Sequence, residues 1–330
     1  MSKKHILPAY TDGPTTFEKD TKNKPPPFEE PIDKIPIYFK DVSPRGWTIV
    51  INNRFWTDGF RLFVSKDASE KFDAFKKQST SPHIIDLQRQ GIGIPLLKAI
   101  VPLNPATTKF LTFRRYYPNL DGPFDVDKNY YDFCVVRKHY HIGYNSYVFN
   151  FVPDRNDASK NFSVTLFSHS TYPIHDYLYN GQKHRWVDES YIHYFAKLFQ
   201  VKFGFKHTIL LPNQPSLCDN FDGKSDKLTK SKDNPFLSSY FKSKFNFKTR
   251  VPKPEYYGPI CSAIVGEAEQ YFKLGYAEIK IDDMRNFDPS VDYNSILSVD
   301  EDVLVMICIA TVLKRQKDII EDAKKRNGGG

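Results

Sequence analysis

Residues 303–313 read Val-Leu-Val-Met-Ile-Cys-Ile-Ala-Thr-Val-Leu, eleven residues with one hydroxyl group and no charge. A buried strand and a buried helix can both have this composition, so the flanking residues decide between them. Residues 300–302 are all acidic and residues 314–317 carry three bases, which is the polarity that complements a helix dipole. Ser298 and Glu301 also have the spacing of a capping box. The pattern therefore predicts a helix.

This helix, predicted over residues 300–318, decides the architecture of the whole chain. Its apolar part spans about 16 Å, roughly half of a bilayer core, so we expect that it does not cross a membrane. Because it is apolar on every side, it must be enclosed on every side. In a chain that otherwise reads as strands, a closed sheet around the helix provides that enclosure and leaves no exposed strand edge. We therefore predict a mainly β protein, an antiparallel barrel around one buried C-terminal helix.

The strand predictions rest on apolar residues that alternate with a period of two between Gly, Pro and Asp. A hairpin is predicted over residues 132–152, with its turn at residues 143–145, and a helix over residues 189–199. No alternation of strands with helices is present, which argues against a doubly wound nucleotide-binding sheet. The other predicted strands are residues 45–52, 61–65, 83–88, 96–101, 109–115, 162–167, 207–211 and 271–281.

Both termini are predicted to lie outside the folded domain, which we place at residues 37–320. Residues 1–36 hold seven prolines among polar residues, too little apolar surface to offset the entropy of ordering, so we predict a disordered tail. Within it, Leu7, Pro8 and Tyr10 form an LPxY motif that resembles the peptides bound by WW domains; a solvated tail is the alternative interpretation. Residues 321–330 are predicted to be a flexible tail.

The compartment is inferred from cysteine usage and from the N-terminus. The four cysteines are widely separated and form no CxxC pair, which argues against a disulfide framework or a zinc site and indicates a reducing compartment. The N-terminus has no apolar signal region. We expect a monomeric cytoplasmic protein without a cofactor, able to attach peripherally to membranes.

Residues 213–253 interrupt the strand pattern and are predicted to be a basic insertion. Residues 224–253 hold nine basic and two acidic residues, in a chain whose net charge is +8. A solvated loop is one interpretation, and an electrostatic footprint for an anionic surface is the other. Aromatic residues interleave with the bases, and they are suited to a lipid headgroup layer, to stacking on nucleic-acid bases or to packing on the barrel. The candidate lipid-binding residues of this insertion are Lys242, Lys244, Lys248 and Arg250.

No catalytic or metal-binding pattern is complete. His139 and His141 lie two residues apart as in half of a cupin metal site, but no glutamate follows at the required distance. Asp176 lies in the sequence among several histidines, so a hydrolytic triad can be drawn, but no nucleophile elbow accompanies it. Gly91 and Gly93 lack the third glycine of a dinucleotide fingerprint. We therefore expect that the protein is not an enzyme and binds no metal.

The chain resembles the superfamily that joins tubby C-terminal domains, LURP-one-related proteins and phospholipid scramblases. The resemblance covers about residues 37–320 and is carried by short strands that end with residues 271–281, an acidic link and the uncharged helix from Asp302 to Leu313. The hairpin at residues 135–151 and the segment 181–187 are also similar. The resemblance implies a barrel of twelve strands around a central helix.

The resemblance also implies a function, because tubby domains bind phosphoinositides through basic side chains on neighbouring strands and are not enzymes. Such side chains occur on predicted strands of this chain, and two more are expected in a later turn. The strand residues are Lys109, Arg114, Arg115, Arg137 and Lys138, and those of the turn are Lys183 and Arg185. We therefore predict a non-enzymatic module that binds anionic phospholipid. The alternatives are a protein-interaction scaffold that uses the tail, a ligand carrier or enzyme that uses the barrel mouth, and nucleic-acid binding.

Overall fold

The structure, a computed structural model, describes residues 47–52, 59–77, 80–102, 107–189, 204–229, 233–237, 256–267, 276–281 and 290–327. Several predicted features lie outside these residues and stay predictions. They are the tail 1–36 with Leu7, Pro8 and Tyr10, nearly all of the helix predicted at 189–199, and Lys242, Lys244, Lys248 and Arg250.

The described residues form a closed antiparallel barrel of twelve strands, which confirms the predicted fold class. Each strand pairs with the next strand in the chain, and the pairing of β1 with β12 closes the barrel. The strands are β1 Trp47–Asn52, β2 Phe60–Phe63, β3 Leu97–Ile100, β4 Lys109–Tyr116, β5 Tyr130–Tyr140, β6 Tyr144–Phe151, β7 Phe162–His169, β8 Ile174–Tyr179, β9 Gln182–Asp188, β10 Gly204–Ile209, β11 Ile260–Glu267 and β12 Tyr276–Ile281.

The C-terminal helix lies in the core, as predicted. Three helices accompany the described strands: α1 (Lys66–Phe75), α2 (Pro82–Arg89) and α3 (Glu301–Asn327). Within α3 the apolar stretch is buried except for Met306, which is partly exposed. None of the described helices combines the length and apolarity that a bilayer crossing requires.

Helix α3 is longer than predicted. It continues to Asn327, so residues 321–327 are helical rather than part of a flexible tail. The added turns consist largely of Lys, Arg, Glu, Asp and Ala, of which all but Asp favour helix. Three bases in the last turn, Lys324, Lys325 and Arg326, also complement the negative end of the helix dipole.

Residues 83–88, predicted to be a strand, form most of helix α2 instead. Pro82 occupies the first turn of this helix, where its fixed φ and missing N–H are favourable. The buried side chains Ile84 and Gln88 are four residues apart and share one face. The adjacent apolar residues at 84 and 85 therefore belong to a helical pattern, which is difficult to tell from alternation over so few residues. Helix α1 and strands β8, β9 and β11 were not predicted.

Lys183 and Arg185 lie on strand β9 and not in a turn. The turn is the preceding pair Asn180 and Gly181, whose φ angles are 49° and 74°. Two consecutive residues with positive φ form the tight type of hairpin turn that matches strand twist. The turn places Arg185 opposite Asp176 across the β8–β9 pair.

The insertion packs on the outer face of the barrel over its described part. Leu217, Phe236 and Leu237 are buried in a second apolar cluster with strand residues such as Val187. Phe236 therefore packs on the barrel, one of the roles expected for the aromatic residues of the insertion, whereas Lys224 and Lys227 are exposed.

The two ends of the barrel are distinguished by the direction of α3. Tyr179, at the end of β8, donates a hydrogen bond to Asp302 in the first turn of α3, at 2.8 Å. Tyr147, near the start of β6, donates to Gln316 in its second half. We call the end of the barrel at Asp302 the entry end and the end at Gln316 the exit end.

Candidate functional site at the exit end

The four basic strand residues predicted to form one headgroup site lie at opposite ends of the barrel. Arg115 pairs with Tyr131 on β5, whereas Arg137 pairs with Lys109, six residues further along the same strand. Six residues of strand span about 20 Å. Arg114 and Arg115 are thus at the entry end, and Arg137 and Lys138 are at the exit end.

The entry-end arginines already have partners within the protein. The Arg114 Nε atom lies 3.2 Å from an Asp132 carboxylate oxygen, and its guanidinium lies 4.3 Å from the Tyr130 ring. The guanidinium of Arg115 lies 5.7 Å from the Phe133 ring. Burial raises the pKa of Glu301, and the positive charge of Arg115 opposes that rise. The charges of Arg114 and Arg115 therefore interact with Asp132 and with neighbouring aromatic rings of the protein itself.

The surroundings of Arg114 and Arg115 are acidic. Nine carboxylates lie in the part of the entry end formed by the ends of β4–β7, their loops and the start of α3, where five cations oppose them. Carboxylates therefore outnumber cations in this part of the entry end. The carboxylates are Asp121, Asp125, Asp127, Asp132, Asp154, Asp157, Asp300, Glu301 and Asp302, and the cations are Arg114, Arg115, Lys128, Arg155 and Lys160.

The exit end presents the tip of the β5–β6 hairpin to solvent. The turn comprises residues 141–143, with Gly143 at a φ of 89°, two residues earlier than predicted. Tyr144 is buried at the start of β6 instead of lying in the turn. Tyr140 and Ile142 are 77% and 76% exposed. These two side chains are the most exposed large apolar residues of the described chain, and their closeness in one hairpin tip makes the tip a candidate contact surface.

Basic side chains surround this tip. Lys109 and Arg137 face each other on β4 and β5, and both are exposed. In the part of the chain that the structure describes, neither has an ion pair. We define the exit surface as Lys109, Arg137, Lys138, Tyr140 and Ile142. The last turns of helix α3 carry both signs of charge. The bases include Arg315, Lys324, Lys325 and Arg326, and the acids are Asp318, Glu321 and Asp322.

The Lys138 side chain lies among aromatic rings. Its Nζ atom is 4.6 Å from the ring centroid of Tyr140, 5.4 Å from that of Tyr147 and 5.8 Å from that of Phe110. A register shift between Lys109 and Leu111 inserts Phe110 into β4 as a bulge residue, and bulges redirect side chains in this way. Phe110 consequently packs beside Tyr147, with ring centroids 5.3 Å apart.

The insertion is joined to the exit end by three contacts. His139 Nδ1 lies 3.1 Å from an Asp226 carboxylate oxygen. The Leu228 amide donates to the Tyr144 hydroxyl at 2.9 Å. The Phe236 carbonyl lies 3.4 Å from Nε2 of His169, at the end of β7. Asp226, Leu228 and Phe236 of the insertion therefore contact strand residues at the exit end.

A buried ion pair fixes the insertion to the sheet. Arg185 donates two hydrogen bonds of 2.7 Å to Asp176, and neither side chain is exposed. Asp176 also accepts from the Ser216 hydroxyl at 2.9 Å and from the Leu217 amide at 2.8 Å. Arg185 donates in turn to the backbone carbonyl of Pro215 at 3.0 Å. The Asp176–Arg185 pair therefore has a structural role, because its hydrogen-bonding groups bind other groups of the protein.

The hydrolytic triad that the sequence allows is not assembled. Asp176 points outward to Arg185, whereas His175 and its neighbours Tyr177 and Leu166 face the barrel interior. His175 Nδ1 lies 2.8 Å from the Ser168 hydroxyl. Burial lowers the pKa of His175 to about 4, so this imidazole is neutral at pH 7 and contributes to packing.

His139 and His141 are used in the hairpin rather than as a pair of metal ligands. His141 stacks on Tyr144 with ring centroids 4.6 Å apart, and its Nε2 lies 2.9 Å from the Ser146 hydroxyl. His139 is directed to Asp226. Within the described ranges no group of three or more His, Cys, Asp or Glu side chains is arranged to hold a metal ion.

Fold and site together define a class of protein, a closed twelve-stranded antiparallel barrel threaded by its own C-terminal helix, with an apolar and basic surface at one end. The family model described as DIA1 matches residues 43–326, so the chain belongs to the DIA1 family. Comparison with curated proteins and with solved structures gives no match.

Proposed function

We propose that this protein is a non-enzymatic binding module for anionic phospholipid, of the phosphoinositide type, at a cytoplasmic membrane face. The observation that carries the proposal is the exit surface, where Tyr140 and Ile142 project into solvent beside Lys109 and Arg137. The tubby-like resemblance of the sequence supports the same class of ligand. Two of the basic residues that it indicated, Arg114 and Arg115, lie at the entry end.

In this proposal the apolar side chains enter the headgroup layer, and the basic side chains attract the anionic lipid. A tyrosine ring has an apolar body and a polar hydroxyl, and this combination suits the headgroup layer of a membrane. Isoleucine adds burial of apolar area, worth about 1.5–3 kcal/mol when complete. Each Lys or Arg near an anionic leaflet contributes about 1 kcal/mol. Lys109 and Arg137 are exposed and can supply that attraction.

The charge distribution of the barrel orients the protein. Carboxylates outnumber cations in the part of the entry end around Asp302, and the exit surface carries three bases that have no ion pair among the described residues. A protein with this polarity approaches an anionic surface with the exit end first, because the field of the membrane acts on the whole charge distribution.

The basic insertion adds to the proposed contact. Its segment 224–253 carries nine bases, and the described contacts of Asp226, Leu228 and Phe236 lie towards the exit end. We propose that Lys242, Lys244, Lys248 and Arg250, which lie outside the described residues, strengthen binding. Arg114 and Arg115 are excluded from the proposed site because they lie at the entry end.

The proposal predicts binding to vesicles that carry phosphatidylserine or a phosphoinositide, and none to neutral vesicles at micromolar protein. Lys109→Glu with Arg137→Glu removes two attractions of about 1 kcal/mol each, so affinity is expected to fall at least about 30-fold. Binding is expected to weaken steeply with salt, since the Debye length is about 8 Å at physiological ionic strength. Flotation of the protein with vesicles at two salt concentrations measures both effects.

The matched control reverses two lysines at the entry end, Lys128→Glu with Lys160→Glu. These residues are exposed and pair with Asp125 and Asp154, so the variant changes net charge equally and is expected to bind normally. Equal losses in both variants would mean that net charge alone drives binding. Absence of vesicle binding at low salt, or equal binding to single-stranded nucleic acid at the same salt, would contradict the proposal.

A further inference from the structure

The ammonium group of Lys138 is held by aromatic faces. Its three ring distances, 4.6, 5.4 and 5.8 Å, are within the range of about 6 Å for cation–π attraction. Lys138 and Tyr140 share one face of β5, and Tyr147 lies opposite Lys138 on β6. Among the residues that the structure describes, no carboxylate forms an ion pair with Lys138. The positive charge is therefore stabilised by π faces rather than by an acid.

The rings form a site with two fixed walls and one open wall. Tyr147 is fully buried and donates its hydroxyl to Gln316, and Phe110 packs against it at an interplanar angle of 70°. Tyr140 is the open wall, since most of its surface is exposed. We call Phe110, Tyr140 and Tyr147 the ring cluster.

We propose that the ring cluster is a subsite for a quaternary ammonium group attached close to a phosphate, the chemistry of phosphocholine. In the free protein the Lys138 ammonium occupies the place of the trimethylammonium group. When the ligand binds, the trimethylammonium group moves over the rings and the Lys138 ammonium moves to the phosphate. No covalent bond forms or breaks.

The exchange is favourable because the two cations differ in hydration. A primary ammonium is compact and strongly hydrated, so it loses water contacts when it lies against a ring. Quaternary ammonium groups are bulkier and have no N–H donors to desolvate, and aromatic cages recognise them for this reason. The phosphate gains a charge-assisted contact from Lys138 that the free protein does not use.

Two sources carry this chemistry, soluble phosphocholine and the headgroup of phosphatidylcholine. For the lipid, the inference rests on the proposed function, because that function brings the exit surface to a membrane. A single subsite of this kind is expected to bind soluble phosphocholine with a dissociation constant on the order of 1 mM. At a membrane the subsite adds selectivity for choline headgroups, while the attraction to the membrane comes from anionic lipid.

The test is an NMR titration of the full chain with phosphocholine and, separately, phosphoethanolamine. We expect phosphocholine to bind roughly tenfold more tightly, and Tyr140→Leu to remove the difference. Tyr130→Leu is the matched control, because Tyr130 stacks on Arg114 at the other end and the variant is expected to retain the preference. Lys138→Gln is expected to bind tetramethylammonium more tightly than the wild type, because the competing ammonium is gone.

Equal affinity for the two phosphate esters, or unchanged tetramethylammonium binding by Lys138→Gln, would overturn the inference. A vesicle arm separates it from the proposed function by placing phosphatidylserine in phosphatidylcholine or in phosphatidylethanolamine. Binding without preference between these vesicles supports the proposed function and contradicts the subsite. Phosphocholine binding without any vesicle binding supports the subsite and contradicts the proposed function.

Discussion

Replacing Ile307 by aspartate is expected to abolish folding. Ile307 is 0% exposed in the middle of α3, so the new carboxylate would be enclosed by the barrel with no cation beside it. An unpaired buried charge costs several kcal/mol, and the lost isoleucine burial adds about 1.5–3 kcal/mol. The sum is comparable with the total stability of about 5–15 kcal/mol that domains possess. The measurement is the yield of soluble protein and its thermal melting curve.

The control for this variant lies on the same helix. Ile319 is 42% exposed, beyond the enclosed part of α3, so Ile319→Asp keeps the chemistry of the change and removes the burial. It is expected to melt within about 0.5 kcal/mol of the wild type, as surface substitutions do. A soluble Ile307→Asp protein with a cooperative transition would contradict the enclosed helix.

Replacing Asp176 by alanine is expected to destabilise the protein by about 3–5 kcal/mol, because Arg185 would keep its charge in a buried site without its partner. The Ser216 hydroxyl and the Leu217 amide would lose their acceptor at the same time. The midpoint of thermal unfolding is expected to fall by roughly 10 °C. The described part of the insertion is expected to become sensitive to protease at lower temperature than the barrel.

Two further variants show whether the loss in Asp176→Ala comes from leaving the Arg185 charge buried without a partner or from losing the ion pair. Asp132→Ala removes an exposed pair with Arg114, and such pairs contribute at most about 1 kcal/mol. Asp176→Leu with Arg185→Met removes both buried charges, and is expected to recover much of the stability lost in Asp176→Ala. Equal melting of Asp176→Ala and Asp132→Ala would show that the Asp176–Arg185 pair does not fix the insertion.

The sequence was sufficient to predict the enclosing barrel because one segment constrains it. The apolar stretch of α3 is too short for a membrane and is flanked by charges of helical polarity, and the surrounding chain alternates with a period of two. Residues 83–88 were misassigned because six residues cover less than two helical turns, over which alternation and helical spacing differ by one position. Strands β8, β9 and β11 were missed because each of them mixes polar with apolar residues on its faces.

The candidate site could be predicted only in part. Arg137 and Lys138 were identified from the sequence, but their separation from Arg114 and Arg115 depends on the direction of β4 and β5 and on the register between them. Tyr140 and Ile142 were not predicted, since alternation continues through them and nothing in the sequence marks where β5 leaves the barrel. The pairing of Asp176 with Arg185 depends on the position of the two-residue turn at Asn180.

The central claim is that the exit surface, and not the entry end, enters the headgroup layer of an anionic membrane. The most direct test places an environment-sensitive fluorophore on Ile142→Cys or on Leu120→Cys, in a chain in which the half-buried Cys261 is replaced by serine. Leu120 is 71% exposed on the β4–β5 loop at the entry end, so the two labels differ only in which end they report. With phosphatidylserine vesicles that contain brominated lipid, we expect quenching of the label at position 142 and none at position 120. Quenching at position 120, or equal quenching at both positions, would contradict the claim.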